Sequence, residues 1–95
     1  MKTDCMKIPF FKYYLTEDVM RFSESFFKNE NGMADKFTKM WLNVIGYFKS
    51  EPNVIGYELI NEPSAANGWK NPYHYIGPGV NSNRYLLPFY QKMAA

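Results

Sequence analysis

Glu62 is the side chain best placed to act as an acid or base, because it closes the stretch Asn53 to Pro63, NVIGYELINEP. Val54, Ile55, Tyr57, Leu59 and Ile60 form an apolar run bounded by Pro52 and Pro63, too short for a typical helix and rich in β-branched and aromatic residues. Such a run predicts a buried strand of the kind found in parallel sheets covered on both faces. In those sheets chemistry collects at the carboxyl ends of the strands. A glutamate there serves as general acid or base once partial burial and a neighbouring carboxylate raise its pKa. Asn61 is a neutral donor and acceptor suited to holding a hydroxyl group, with a backbone-bonded turn residue as the structural alternative. Pro63 is expected to restrict Glu62 toward extended backbone geometry.

Beyond Pro63, SAANGWKNPYHYIGPGVNSN is rich in Asn, Gly and Pro and predicts a long loop. Loops that follow the strands of a covered parallel sheet are where sites are built. Trp69, Tyr73 and Tyr75 offer flat apolar surfaces to a ligand, or else simply pack the loop. His74 lies between the two tyrosines; it is either a ligand contact or a structural histidine. With no second His and no clustered carboxylates, nothing suggests a metal.

The elements that must position these residues flank them. Residues 5–14, CMKIPFFKYY, read as an ordered loop or turn leading into a helix. Thr16 is the expected N-cap, followed by Glu17 and Asp18 in the first turn. Val19, Met20, Phe22, Phe26 and Phe27 make the apolar face, and Asn31-Gly32 the end, with Lys28 in the last turn. A second helix is expected from about Ala34 to Lys49, with Met33, Phe37, Met40, Trp41, Val44 and Phe48 on a face that packs on the sheet. Gly46 conflicts mildly with it, and a close helix-to-strand approach would explain the glycine. Ser50 to Asn53 turns the chain into the strand. A last helix is expected near Leu86, so that Pro88 falls in its first turn.

At 95 residues and 19% aromatic, the composition is that of a globular core and not of a disordered tail. The formal net charge of +2, with charges interspersed, gives no basic stripe and so no sign of nucleic acid binding. No run approaches the ~18 apolar residues of a membrane span. The N-terminus has no signal-peptide pattern. Cys5 is the only cysteine, which excludes an internal disulfide framework; it is read as an inert thiol or as a partner for a cysteine elsewhere.

The decapeptide VIGYELINEP after an amphipathic helix resembles the fourth-strand motif of the clan A glycoside hydrolases, above all glycoside hydrolase family 5. DCMKIPFFKYYLTEDV, NGMADKFTKMW and GPGVNSNRYLLPFYQKM look like its endoglycoceramidase branch. The resemblance covers most of the chain. It implies an α/β fold, a fragment of a (β/α)8 barrel holding helix, helix, fourth strand, long loop and helix. A whole barrel needs roughly 250 residues, so residues 1–95 would be about one third of the catalytic domain. Where the branch usually continues Asn-Glu-Pro with Trp, this chain has Ser64.

The resemblance further implies a retaining glycosidase without a cofactor that cleaves the β-glycosidic bond between a glycan, or a single glucose, and ceramide. Glu62 would be its general acid/base and Asn61 the partner of the 2-hydroxyl of the sugar being cleaved. From their residue types rather than from the resemblance, Trp69, Tyr73 and Tyr75 would face sugar rings or a lipid chain, and His74 would help bind sugar. Partners would be a glycolipid or oligosaccharide substrate, with peripheral contact to membrane lipid through it, and the setting secreted, endomembrane or lysosomal. Glu58 shares a strand side with Glu62 but lies four residues away, roughly 13 Å, whereas a retaining carboxyl pair stands about 5 to 5.5 Å apart. A charge-paired or hydrogen-bonded role is expected for Glu58, and the nucleophile would be a Glu on a later strand outside this chain. The alternatives are a glucosylceramide-specific relative, a β-glucanase or β-glucosidase of the same family, or a non-catalytic carbohydrate-binding remnant.

Overall fold

The computed structural model describes residues 9–94, so Cys5, Lys2 and Lys7 lie outside the described residues. A 3-10 helix, Phe10–Leu15, leads into α1, Glu17–Phe27. Thr16 takes the N-cap position in extended conformation, but its hydroxyl donates back to the Tyr13 carbonyl at 2.7 Å and does not cap the helix. The carboxylates of Glu17 and Asp18 in the first turn remain to favour the helix dipole.

α1 ends earlier than Asn31-Gly32. Asn29, Asn31 and Gly32 all adopt positive φ (59°, 53° and 68°), so the chain reverses through a left-handed linker that Asn and Gly tolerate better than other residues. Asn29 then caps the next helix, α2, Met33–Phe48. Its Oδ1 accepts from the Asp35 backbone N–H at 3.1 Å while its Nδ2 donates to the Asp35 carboxylate at 2.8 Å.

The expected strand is not formed. Among the described residues there is no β-strand at all, and the chain after α2 runs on from a turn at Glu51 to Asn53 without ladder partners. Ile55 is fully exposed. The physical reason is that a strand is completed by its neighbours, and no second extended segment lies beside this one. Tyr57 packs edge-on against Trp41 of α2, the one large aromatic contact that ties this stretch to the helix. Gly46 has open space where a Cβ would point, so the close approach expected there is not seen.

The predicted long loop contains one short helix, α3, Tyr73–Ile76. The chain then enters a π-turn, Ser82–Leu86, that runs directly into α4, Leu87–Ala94. This is earlier than the expected start near Leu86. Pro88 has no N–H to give, and the π-turn, with Leu87 N–H reaching back to the Ser82 carbonyl, accommodates the proline by changing the register ahead of it.

Two cores result. In one, Phe89 of α4 is buried among Phe26, Phe27 and Phe37, with ring centroids 5.6, 5.1 and 6.0 Å away. This cluster joins α1, α2 and α4, and an ion pair between Lys92 and Asp35 supports it at the edge. In the other, Ala65, Ala66 and Tyr85 pack together with Phe27 and Leu86 against them. Much apolar surface stays uncovered, including Phe22, Met40, Leu42, Tyr47 and Ile55. Among the described residues, more large apolar side chains are exposed than a self-contained domain usually shows. None of the described helices is long and apolar enough to cross a membrane.

Candidate functional site

The chain leaves its extended run through a sharp bend at Asn61-Glu62. Glu62 has φ of +40°. The expectation that Pro63 would hold it extended is therefore corrected: the residue before a proline is driven away from right-handed helical geometry, and here it escapes to the left-handed side. For a glutamate this conformation costs on the order of 1–3 kcal/mol and persists only where the surroundings hold it. Packing just downstream supplies the hold, because Ala65 and Ala66 are completely buried.

Asn61 and Glu62 are exposed and rim an apolar groove of about 380 Å³, within the size range of small-molecule sites. Its opposite wall is the α1 face with Val19, Phe22, Ser23 and Phe26. Glu62 is the only carboxylate among the lining residues, so the groove holds one candidate acid or base and no second carboxyl group to pair with it. Glu58 is exposed, without the buried ionic setting expected for it.

The aromatic loop residues lie elsewhere. Trp69 and Tyr75 line a shallow groove of about 370 Å³ with Leu15, Met20, Pro72 and Ile76. Ser64, which lines the Glu62 groove, is hydrogen-bonded to the Tyr75 hydroxyl, and that hydroxyl also donates to the Ala66 carbonyl at 2.8 Å. Ser64 and the Ala66 carbonyl together thus tie the Tyr75 hydroxyl to the chain just past Glu62. Trp69 keeps its face exposed while its indole N–H donates to the Leu15 carbonyl at 2.8 Å. Tyr73 projects from the surface.

His74 is buried, and both ring nitrogens have protein partners: Asn71 Nδ2 at 3.1 Å from Nε2, and the Tyr85 hydroxyl at 3.1 Å from Nδ1. One proton assignment satisfies every group. Asn71 donates to Nε2, so the proton of the neutral ring sits on Nδ1 and is donated to the Tyr85 oxygen. Tyr85 in turn donates to Glu24 Oε1 at 3.2 Å, and Lys28 donates to the same oxygen at 2.7 Å. Burial pushes the Glu24 carboxyl up, but the Lys28 bond and charge, the Tyr85 hydroxyl and the Lys70 charge outweigh it and hold the group below the usual range. The Glu24 bond holds Lys28 above its ordinary value. Burial, followed by the Glu24 charge, pushes the Tyr85 phenol up.

Glu24, Asn71 and Tyr85 were not among the residues singled out from sequence. Glu24 lies four residues after Met20 and three before Phe27, on the buried side of α1, and a carboxylate on an apolar face is the signal that would have found it. Among the described residues no cluster of three or more His, Cys, Asp or Glu side chains could hold a metal.

No family model and no solved structure matches the chain. Two curated proteins do. An endoglycoceramidase of Hydra vulgaris is 39% identical over 90 residues, 95% of this chain and 17% of that protein. An endoglycoceramidase of Cyanea nozakii is 39% identical over 87 residues, 92% of this chain and 17% of that protein. Over nearly its whole length the chain is similar to a segment of endoglycoceramidases, and it spans 17% of the length of these curated relatives.

Proposed function

We propose that these residues belong to a longer glycoside hydrolase of endoglycoceramidase type, in which Glu62 is the general acid/base. The observation that carries the reading is the similarity itself: a match over 90 of 95 residues necessarily spans Glu62, which stands exposed at the rim of an apolar groove. In the longer protein Val54 to Ile60 would become the fourth strand of a (β/α)8 barrel, paired on both sides, with Glu62 at its carboxyl end. Coverage by neighbouring strands would bury Ile55 and the open face of α2.

The chemistry follows from one carboxyl group here and a second elsewhere. Glu62 protonates the glycosidic oxygen as the bond to the aglycone breaks, while a glutamate from a later strand attacks the anomeric carbon and forms the glycosyl-enzyme. Glu62, now a carboxylate, then takes a proton from water as the water displaces the nucleophile, and the sugar leaves with its configuration retained. Asn61 would hold the 2-hydroxyl. Trp69, Tyr73 and Tyr75 would border glycan or lipid, and His74 would act through the loop that carries them. The substrate would be a glycosphingolipid split into glycan, or glucose, and ceramide, with no cofactor and only peripheral membrane contact. The 95 residues alone would be inactive, having one of the two carboxyl groups.

The test is product analysis with the full-length protein. A glycosphingolipid should yield intact glycan and ceramide in one cut, and Glu62→Gln should lower that rate by about 100- to 10,000-fold. Stepwise release of single sugars from the far end of the glycan, or action on β-glucan alone, would overturn the substrate assignment.

A further inference from the structure

We propose that Tyr85 is a positioning residue for the reaction, whose hydroxyl, bridging Glu24 and His74, clamps the loop that follows Glu62 and so aims the Glu62 carboxyl group. The proposal rests on Glu62 being the acid/base.

Three observations lead there. First, the hydrogen-bond chain from Asn71 through His74, Tyr85 and Glu24 to Lys28 joins the loop, the π-turn and α1, and the three central side chains are each more than nine-tenths buried. Every member is satisfied, and such a buried network fixes one arrangement of the segments it joins. Second, the Tyr85 ring packs against Ala65 and Ala66, which are wholly buried and only three and four positions after Glu62. Third, the positive φ of Glu62 is a conformation that its own residue type does not favour, so its direction is set by what holds the chain on either side. Upstream Asn61 is exposed, Leu59 and Ile60 are only half-buried, and the backbone has no ladder partners. Downstream it is held by the Tyr85 core and by the Tyr75 bond to the Ala66 carbonyl. Tyr85 is thus the point at which α1 and the π-turn control the exit of the chain from Glu62.

The charged groups around this chain are Lys28, Lys70 and Arg84, which line the small cavity beside Glu24 and Tyr85. None of the three lines the groove that Glu62 rims. The network therefore holds Glu62 in place without touching substrate.

The experiment uses the full-length enzyme and two substrates, a glycosphingolipid with a poor leaving group and an aryl glycoside with a good one. Tyr85→Phe keeps the ring and removes the hydroxyl. A displaced acid is felt mainly where protonation of the leaving group is needed, and a misplacement of about 1 Å costs up to about 100-fold. Expected, then, is an about 10- to 100-fold lower kcat on glycolipid with little change in its KM, and no more than about threefold loss of kcat/KM, which reports formation of the glycosyl-enzyme, on the aryl glycoside. Glu24→Leu should reproduce the pattern, Glu24→Gln should restore most of the lost rate because it keeps an acceptor, and the double variant Tyr85→Phe with Glu24→Leu should be no worse than either single one. If Tyr85→Phe fails to fold, Asn71→Ala at the exposed end of the network should show the same selectivity at smaller size. Equal losses on both substrates, or none, would overturn the proposal. Glu62→Ala, run alongside and read as kcat/KM, which reports formation of the glycosyl-enzyme, separates the two levels: selective loss there with none from Tyr85→Phe removes only the positioning role, whereas unselective loss of kcat/KM from Glu62→Ala removes the acid/base reading and this proposal with it.

Discussion

Phe89→Ala should open the helical part of this segment long before it affects anything else. The Phe89 side chain is 4% exposed and touches three other phenylalanine rings, from α1 and α2. Burial of a side chain of this size is worth about 1.5–3 kcal/mol. Three ring pairs at the lower end of their usual range, about 0.5 kcal/mol each, add about 1.5 kcal/mol. The total of about 3 to 4.5 kcal/mol agrees with the range of about 3–5 kcal/mol for removing a buried phenylalanine ring. Since about 1.4 kcal/mol is tenfold in an equilibrium constant, local opening should become on the order of 100- to 1,000-fold more frequent. Native-state amide exchange in the full-length protein reads this directly, as faster exchange in α1, α2 and α4 together. An increase below tenfold, or one confined to α4, would show that Phe89 does not join these helices.

Other consequences follow from the exposed face, the loop and the buried carboxylate. Ile55→Asp is harmless in the segment as it stands, where Ile55 is fully exposed, but should abolish soluble expression of the full-length protein if a sheet covers it; normal yield and melting temperature would contradict the barrel strand. Trp69→Ala in the full-length enzyme should raise KM for glycolipid more than for a small aryl glycoside, while equal changes would reduce Trp69 to a packing residue held by Leu15. The stability deficit of Glu24→Gln should depend on pH in a defined direction. Because the folded carboxyl lies below its ordinary value, its contribution is full above the unfolded pKa of about 4.3 and is lost as pH falls through the folded value. Melting temperatures of parent and variant should therefore converge in acid and separate toward neutral pH, and a gap unchanged between pH 3 and 7 would contradict the pairing with Lys28.

The helices were legible because their signals are local. The spacing of Val19, Phe22 and Phe26, and of Phe37, Trp41 and Val44, is decided within a few turns, and α1 and α2 fall within two residues of their expected starts and, for α2, its end. The end of α1 was less legible. Asn31-Gly32 is a fair stop signal, but Asn29 ends the helix earlier because its side chain is needed to cap α2 across the turn. The stretch Val54 to Ile60 carries strand-forming residues, yet pairing is non-local, and composition cannot supply a neighbour. Glu62 stands out in the sequence by its place at the end of that run. Its positive φ was hidden because it depends on where Ala65 and Ala66 are buried. The network of Glu24, His74 and Tyr85 joins residues up to 61 positions apart, and no spacing in one sequence announces such a contact.

The most direct test of the account is azide rescue of Glu62→Ala in the full-length enzyme. The variant lacks the proton donor for the first step and the base for the second. Glycolipid turnover should fall strongly, while a substrate with a good leaving group should still form the glycosyl-enzyme, which then accumulates. Azide needs no general base and fits the space left by the carboxyl group. The predicted result is restored turnover with a glycosyl azide of retained configuration. An inverted glycosyl azide, or near-normal glycolipid turnover by the variant, would contradict the assignment of Glu62 as the acid/base.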